Sequence, residues 1–358
     1  MEVLLMPTRP RWKTSVGIWA FGPAATRFVP GGYHPELVGV PTEERVKRAV
    51  EGLGPLVKGY EFHYGFELNE DNLPRIQAAL GSDHDIYAVA YSLFPDPRYK
   101  FGSLSNPDAG LRAEALAHHR RAIDLAAHVH ANYVVWPGNE GYNYNLQRDY
   151  QTTWSHFLGG LQEVIEYARE RGVTVLLEHK NSEPAMQILM RNIGMALFII
   201  QKIQAMGTDT RHVLVNMDWQ HLIMNNEPLG EFAALLLHEG RLGHQHANSG
   251  WGSFDDDNMT GASFLEQTID LALVLQEGGY QGRIGFDLYP YTEDPIAAVR
   301  RSVLQWEFLV EIASRIDHDQ LAHARATADA VGAFTAFYAA LGLTKEYEER
   351  IIEDCRTR

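Results

Sequence analysis

The fold class this sequence predicts is α/β, with eight parallel strands closed into a (β/α)8 TIM barrel and a C-terminal helical arm. Three observations predict it. Eight short β-rich runs recur up to residue 290, and amphipathic helical stretches separate most of them. Polar residues collect at the C-terminal ends of the runs, where such a barrel keeps its chemistry.

The strand candidates are TSVGIWAF (14–21), GYEFHY (59–64), DIYAVAYS (85–92), ANYVVWPG (131–138), VTVLLEHK (173–180), HVLVNMD (212–218), LGHQHANS (242–249) and RIGFDLYP (283–290). In SHFLGGLQEVIEYARERG (155–172), apolar residues return every three or four positions, and Gly172 stands where a helix C-cap belongs. GASFLEQTIDLALVLQEGGYQG (261–282) repeats the pattern and stops at Gly278–Gly279. The rival architecture, a doubly wound open sheet, usually carries a Gly-rich phosphate turn after its first strand. WAFGPAATRF does not match G-x-G-x-x-G. After residue 315 the strands cease, which divides the chain into a barrel (1–315) and an Ala-rich arm (316–358). In the arm, Leu321, Ala324, Ala328, Val331, Phe334, Phe337, Tyr338 and Leu341 read as one apolar helical stripe. Such a stripe must be buried against its own barrel or another chain.

The net charge of −15, from 46 acidic and 31 basic residues, argues against binding nucleic acid or an anionic membrane. Cys355 is the single cysteine, so no intrachain disulfide forms and a Cys-based metal site is not expected. The longest apolar run, IGMALFII, falls far short of the ~20 residues of a membrane span. The N-terminal MEVLLMPTRPRWK has too short an apolar core for a signal peptide, so the expected compartment is the cytoplasm.

Trp19 ends the first run, His63 the second and Trp136 the fourth, with Glu140 just beyond. Glu178 and Lys180 share a face at the end of the fifth, and Asp218 ends the sixth with His221 after it. His244 and His246 share a face of the seventh, and Asp287 lies on the eighth. In SFDDDNM, Asp255 and Asp257 turn toward one point and Asp256 turns away. Each has a plain structural alternative: Asp218 as a helix cap, His63 and His244 as core histidines, Glu178 and Asp287 as partners of an Arg, Asp255–Asp257 as a solvated turn. Together these alternatives require independent coincidences at one end of one barrel. Glu178, Asp218, His246 and Asp287, from four successive strands, form a plausible divalent-metal ligand set. His221, Asp255 and Asp257 stand beside it as a second group, with Asp218 able to bridge the two.

The order of motifs from about Trp19 to Phe308 resembles the xylose isomerase family. SVGIWAFG is similar to the family's first strand, YEFHY to the strand with its ring-opening His, and VVWPGNEG to the ending W-G-G-R-E-G. LLEHKNSEP resembles E-P-K-P-N-E-P, VNMDWQH resembles N-P-E-V-G-H, FDDDNMTG the D-Q-D turn, and GFDLYPYTEDP the closing strand. Two ligands differ: Asp218 replaces a Glu, and His246 a carboxylate. That pair is similar to L-rhamnose isomerases, whose H-x-N-D…D-x-D run resembles HANSGWGSFDDD. The family's Asp that orients the ring-opening His falls near Phe66, with Glu67 the available substitute.

The resemblance implies a metal-dependent aldose–ketose isomerase holding two divalent ions, Mn²⁺, Co²⁺ or Mg²⁺. One ion, at Glu178, Asp218, His246 and Asp287, binds sugar hydroxyls. The other, at His221, Asp255, Asp257 and Asp218, polarises the carbonyl for a 1,2-hydride shift. Lys180, His63 and Asp257 are implied as catalytic, and Trp19, Phe94, Trp136, Glu140 and His244 as substrate-binding. A homodimer or homotetramer is expected. The alternatives are a single-metal sugar 3-epimerase, a lyase or deglycosidase on the same scaffold, and a non-catalytic metal-stabilised binding subunit.

Overall fold

The computed structural model describes residues 11–357. Eight parallel strands close the barrel: β1 (Thr14–Gly17), β2 (Gly59–His63), β3 (Asp85–Tyr91), β4 (Asn132–Val135), β5 (Val175–Glu178), β6 (Val213–Asp218), β7 (Leu242–His246) and β8 (Ile284–Phe286). Neighbours follow chain order, and β8 pairs with β1 to complete the ring. Every strand falls inside a predicted run, and all but β6 end before it does, because the last residues of those runs bend into loops above the barrel. The strands are buried on both faces, which explains their near-continuous apolar runs. An added antiparallel pairing, Gly141–Tyr142 with Gln187–Ile188, ties the loop after β4 to the loop after β5.

The helix Tyr150–Glu170 shows how an outer element forms. Asp149 caps it by accepting from Thr152 N at 2.7 Å. Phe157, Leu161, Val164, Ile165 and Ala168 form the buried stripe, and Gly172, with φ of 67°, ends it. Truncating one such residue, as in Leu161→Ala, would cost about 2–5 kcal/mol.

The arm corrects one expectation. The predicted single stripe is broken between the helices His318–Ala326 and Ala330–Ala340, and a further helix, Lys345–Arg356, follows it. Ala328 takes a φ of 53°, which no α-helix tolerates, and Asp329 caps the next helix by accepting from Gly332 N at 3.0 Å. Leu321, Ala324 and Ala336 are buried against the rest of the chain, and Arg325 Nη1 donates to both oxygens of Glu277 at 2.9 Å. Val331, Phe334, Tyr338 and Leu341 stay exposed. Thus one face of the arm docks on its own barrel and another remains open. No helix among the described residues is long and apolar enough to cross a membrane. The expectation about the N-terminal segment concerns residues 1–13, of which 1–10 lie outside the described residues.

Candidate metal centre

Glu178, Asp218 and His246 are the last residues of β5, β6 and β7, and Asp287 follows β8 directly. Because neighbouring strands end at one level, these side chains meet above the barrel, and one ligand atom from each lies within 4.8 Å of the others. His246 Nδ1 stands at the focus, 3.0 Å from Asp287 Oδ2, 3.3 Å from Glu178 Oε2 and 3.7 Å from Asp218 Oδ2. It is buried and makes no well-directed hydrogen bond. Three carboxylates around one orphaned imidazole nitrogen are unfavourable without a cation. Burial, together with the charges of Asp218 and Asp287, pushes Glu178 up to about 7 despite His246 and His221. Burial alone would lower His246, but Glu178, Asp287 and Glu61 raise it well above the ordinary histidine range. Three carboxylates and one imidazole suit a divalent ion.

Neighbouring side chains fix each ligand. Asn216 Nδ2 donates to Glu178 Oε2 at 2.7 Å, and Trp19 Nε1 donates to Asp287 Oδ1 at 2.6 Å. Asn248 Nδ2 bridges Asp218 Oδ2 at 3.1 Å and Asp257 Oδ1 at 2.9 Å. The two readings of Asp218 turn out to be compatible. Its Oδ1 caps the helix Trp219–Met224 by accepting from His221 N at 2.9 Å, while Oδ2 faces His246.

The second group is arranged differently. His221 Nε2 lies 3.1 Å from Asp255 Oδ1 and 3.3 Å from Lys180 Nζ, and Lys180 pairs directly with Asp255. Lys180 also lies over the Trp136 ring at 5.2 Å. Among the described residues, His221, Asp255 and Asp257 do not gather as a ligand set, and the Lys180 ammonium supplies the local positive charge. Burial opposes Asp255 ionisation, but Lys180 and His221 hold it below the ordinary range. Burial, then Asp255, Asp287 and Asp218, raise Asp257 well above it. Asp257 holds a φ of 39°, uncommon outside glycine, which turns its carboxylate into the cavity. Asp256 turns away as expected, accepting from Gln220 and from Trp251 N to anchor the loop.

Above these groups opens a cavity of about 260 Å³. Trp19, Phe66, Phe94, Trp136 and Tyr289 form its apolar walls, and His63 enters beside Trp19 with rings 4.6 Å apart. His63 Nδ1 lies 3.0 Å from Glu67 Oε2, and burial's depression of its pKa is outweighed by Glu67. Glu67 is thus the carboxylate that holds the His63 ring.

Two expected substrate residues lie elsewhere. Glu140 is buried under the loop after β3. Its Oε1 accepts from Ser103 and from Leu104 N at 2.8 Å, and its Oε2 from Ser105 N at 2.9 Å. Its acceptors are spent on ordering that loop. His244 is wholly buried inside the barrel, 3.0 Å from Glu61 Oε1, because its side chain points inward one layer below His246. Glu61, Asn216 and Asn248 are the supporting residues that sequence reasoning missed. Glu61 and Asn216 sit two positions before His63 and Asp218, so strand alternation placed them on the same inward face.

Fold and site together define a (β/α)8 protein with a buried carboxylate–imidazole centre at its C-terminal mouth. The chain belongs to the xylose isomerase-like TIM barrel family, whose model matches residues 47–306. It is 31% identical over 211 residues to a xylose isomerase of Thermus thermophilus, covering 58% of this chain and 54% of that one. The chain therefore spans about half the length of that curated relative. An L-ribulose 3-epimerase structure superposes with a TM-score of 0.60 at 16% identity, covering 85% of this chain and 96% of the other. A 3-keto-D-glucoside 4-epimerase from E. coli gives 0.59 at 17% identity, covering 83% and 100%. At these identities the likeness shows the fold alone.

Proposed function

We propose that this protein is a metal-dependent aldose–ketose isomerase acting on an open-chain sugar. Glu178, Asp218, His246 and Asp287 would hold the principal ion. A divalent ion bound there supplies a Lewis acid for sugar hydroxyl and carbonyl oxygens. His63, with Nδ1 held by Glu67, has its other ring nitrogen available to move a proton at the ring oxygen and open the sugar. Trp19, Phe94 and Trp136 exclude water from the open chain. The Lys180 ammonium stabilises negative charge on the substrate carbonyl oxygen. In the reaction a C2–H bond breaks as a C1–H bond forms, and a proton passes between the two oxygens, so aldose and ketose interconvert without an external oxidant.

The observation that carries this reading is the buried Lys180 beside His221, adjoining the ligand set. An acid–base epimerase using two carboxylates has no need of a cationic side chain there. A second ion at His221, Asp255, Asp257 and Asp218 would require Lys180 to leave Asp255. That pairing, with one compact ligand set beside it, favours a second reading: a single-metal sugar epimerase. Incubating the Mn²⁺-loaded protein with pentoses, hexoses and 6-deoxyhexoses and identifying products by NMR separates the two. Aldose-to-ketose conversion supports the isomerase. Ketoses returned only as epimers refute it.

A further inference from the structure

We infer that Glu61 is a positioning residue for this centre: it holds His246 in the tautomer protonated on Nε2, so that Nδ1 faces Glu178, Asp218 and Asp287. The inference rests on reading those four residues as ligands.

Glu61 lies inside the barrel on β2, 2% exposed, one layer below the cavity. Its Oε1 accepts from Ser15 Oγ at 2.6 Å and faces His244 Nε2 at 3.0 Å, and its Oε2 faces His246 Nε2 at 3.1 Å. An ionised carboxylate has only acceptors, so each imidazole must donate from Nε2. In its neutral, metal-binding form the imidazole carries one N–H, and the lone pair of His246 is then on Nδ1, the atom at the focus of the three carboxylates.

The surrounding backbone leaves room for this arrangement. A Cβ on Gly285 would come within 2.6 Å of both Glu61 Oε1 and His244 Nε2. β2 also shifts register against β3 between Tyr60 and Glu61, an irregularity of the kind that re-aims a side chain beside a site. The ligand atoms of Glu61, His244 and His246 also lie within 4.8 Å of one another. An ion among them would have to remove the Nε2 protons and compete with the Ser15 hydroxyl already on Oε1. Hydrogen bonding to the carboxylate is therefore the assignment. A charge behind a ligating imidazole fixes its orientation and makes its free nitrogen a better donor.

Glu61→Gln keeps the shape and one acceptor oxygen but removes the charge. Chelator-stripped wild-type protein and the variant would be titrated with Mn²⁺ by calorimetry. The expected result is affinity weakened about 10–100-fold, with the stripped variant still unfolding in one cooperative transition. Mn²⁺ affinity within about twofold of wild type overturns the inference and leaves the ligand reading standing. Wild-type protein that binds no Mn²⁺ overturns both. A measurement on the unmutated protein does not depend on the variant folding: ¹⁵N NMR of histidine-labelled protein loaded with diamagnetic Zn²⁺. A proton on Nε2 of His246 supports the inference, and a proton on Nδ1 overturns it.

Discussion

Removing the metal should make the protein lose stability as pH rises from 5 to 8. Burial and neighbouring charges move Glu178 from 4.5 to about 7. A folded-state pKa above the unfolded one means the native state binds more protons, so stability falls with pH across that interval. The full move corresponds to about 3 kcal/mol at ~1.36 kcal/mol per pH unit. His246 adds in the same direction: its pKa is raised, so its stabilisation is present below about 6.5 and is lost as pH climbs toward its folded value. Asp255 and Glu61 act oppositely, but their lowered pKa values confine that effect to more acidic conditions. For 358 residues at ~2.1 cal/mol/K each, the unfolding entropy is about 0.75 kcal/mol/K, so 3 kcal/mol lowers Tm by about 4 °C. Thermal unfolding in EDTA at pH 5 and 8, for wild type and Glu178→Gln, measures this. The variant should show a smaller fall, and saturating Mn²⁺ should raise the wild-type Tm most at the higher pH. An equal fall in both stripped proteins, or a wild-type Tm that does not fall, refutes the argument.

Lys180→Met should lower kcat about a hundredfold while metal content by elemental analysis stays unchanged. Preserved kcat would remove the lysine from the mechanism. His63→Asn should lower kcat/KM for cyclic sugar about a hundredfold, again without metal loss, and Glu67→Gln should give a smaller decrease of the same kind. Asp257→Asn should leave the affinity of the principal ion unchanged within a few fold, since Asp257 is outside that ligand set; calorimetric loss of all binding would contradict the assignment. Light scattering should show a homodimer or homotetramer, with smaller assemblies after truncation at Arg315, because part of the arm's apolar surface remains uncovered in one chain. A full-length monomer at micromolar concentration would exclude an intersubunit role for the arm.

The barrel was legible because strands buried on both faces leave dense apolar runs, and the meeting of Glu178, Asp218, His246 and Asp287 was legible because strand ends in a barrel converge. What escaped depended on the third dimension. Glu140 belonged to the right loop, but its partners Ser103 to Ser105 follow a different strand. His244 lay on the correct face one layer too deep, and alternation along β7 gives the face but not the depth. The signal for Glu61 was present in YEFHY, where a carboxylate two residues before His63 must face inward. The break in the arm at Ala328 lacked any Gly or Pro to announce it. Only Asp329, suited to capping, marked the new start. The Lys180–Asp255 pair joins residues 75 positions apart, a separation that hides such contacts from one sequence.

The most direct test of the central claim follows a label through the reaction. A C2-deuterated aldose accepted in the sugar panel would be converted by the Mn²⁺-loaded protein and the product examined by NMR. The account predicts a ketose with deuterium retained at C1, as a direct hydride shift requires. Complete exchange of the label into water would indicate proton transfer through an enediol, and an epimerised ketose with no aldose formed would indicate an epimerase; either result contradicts it.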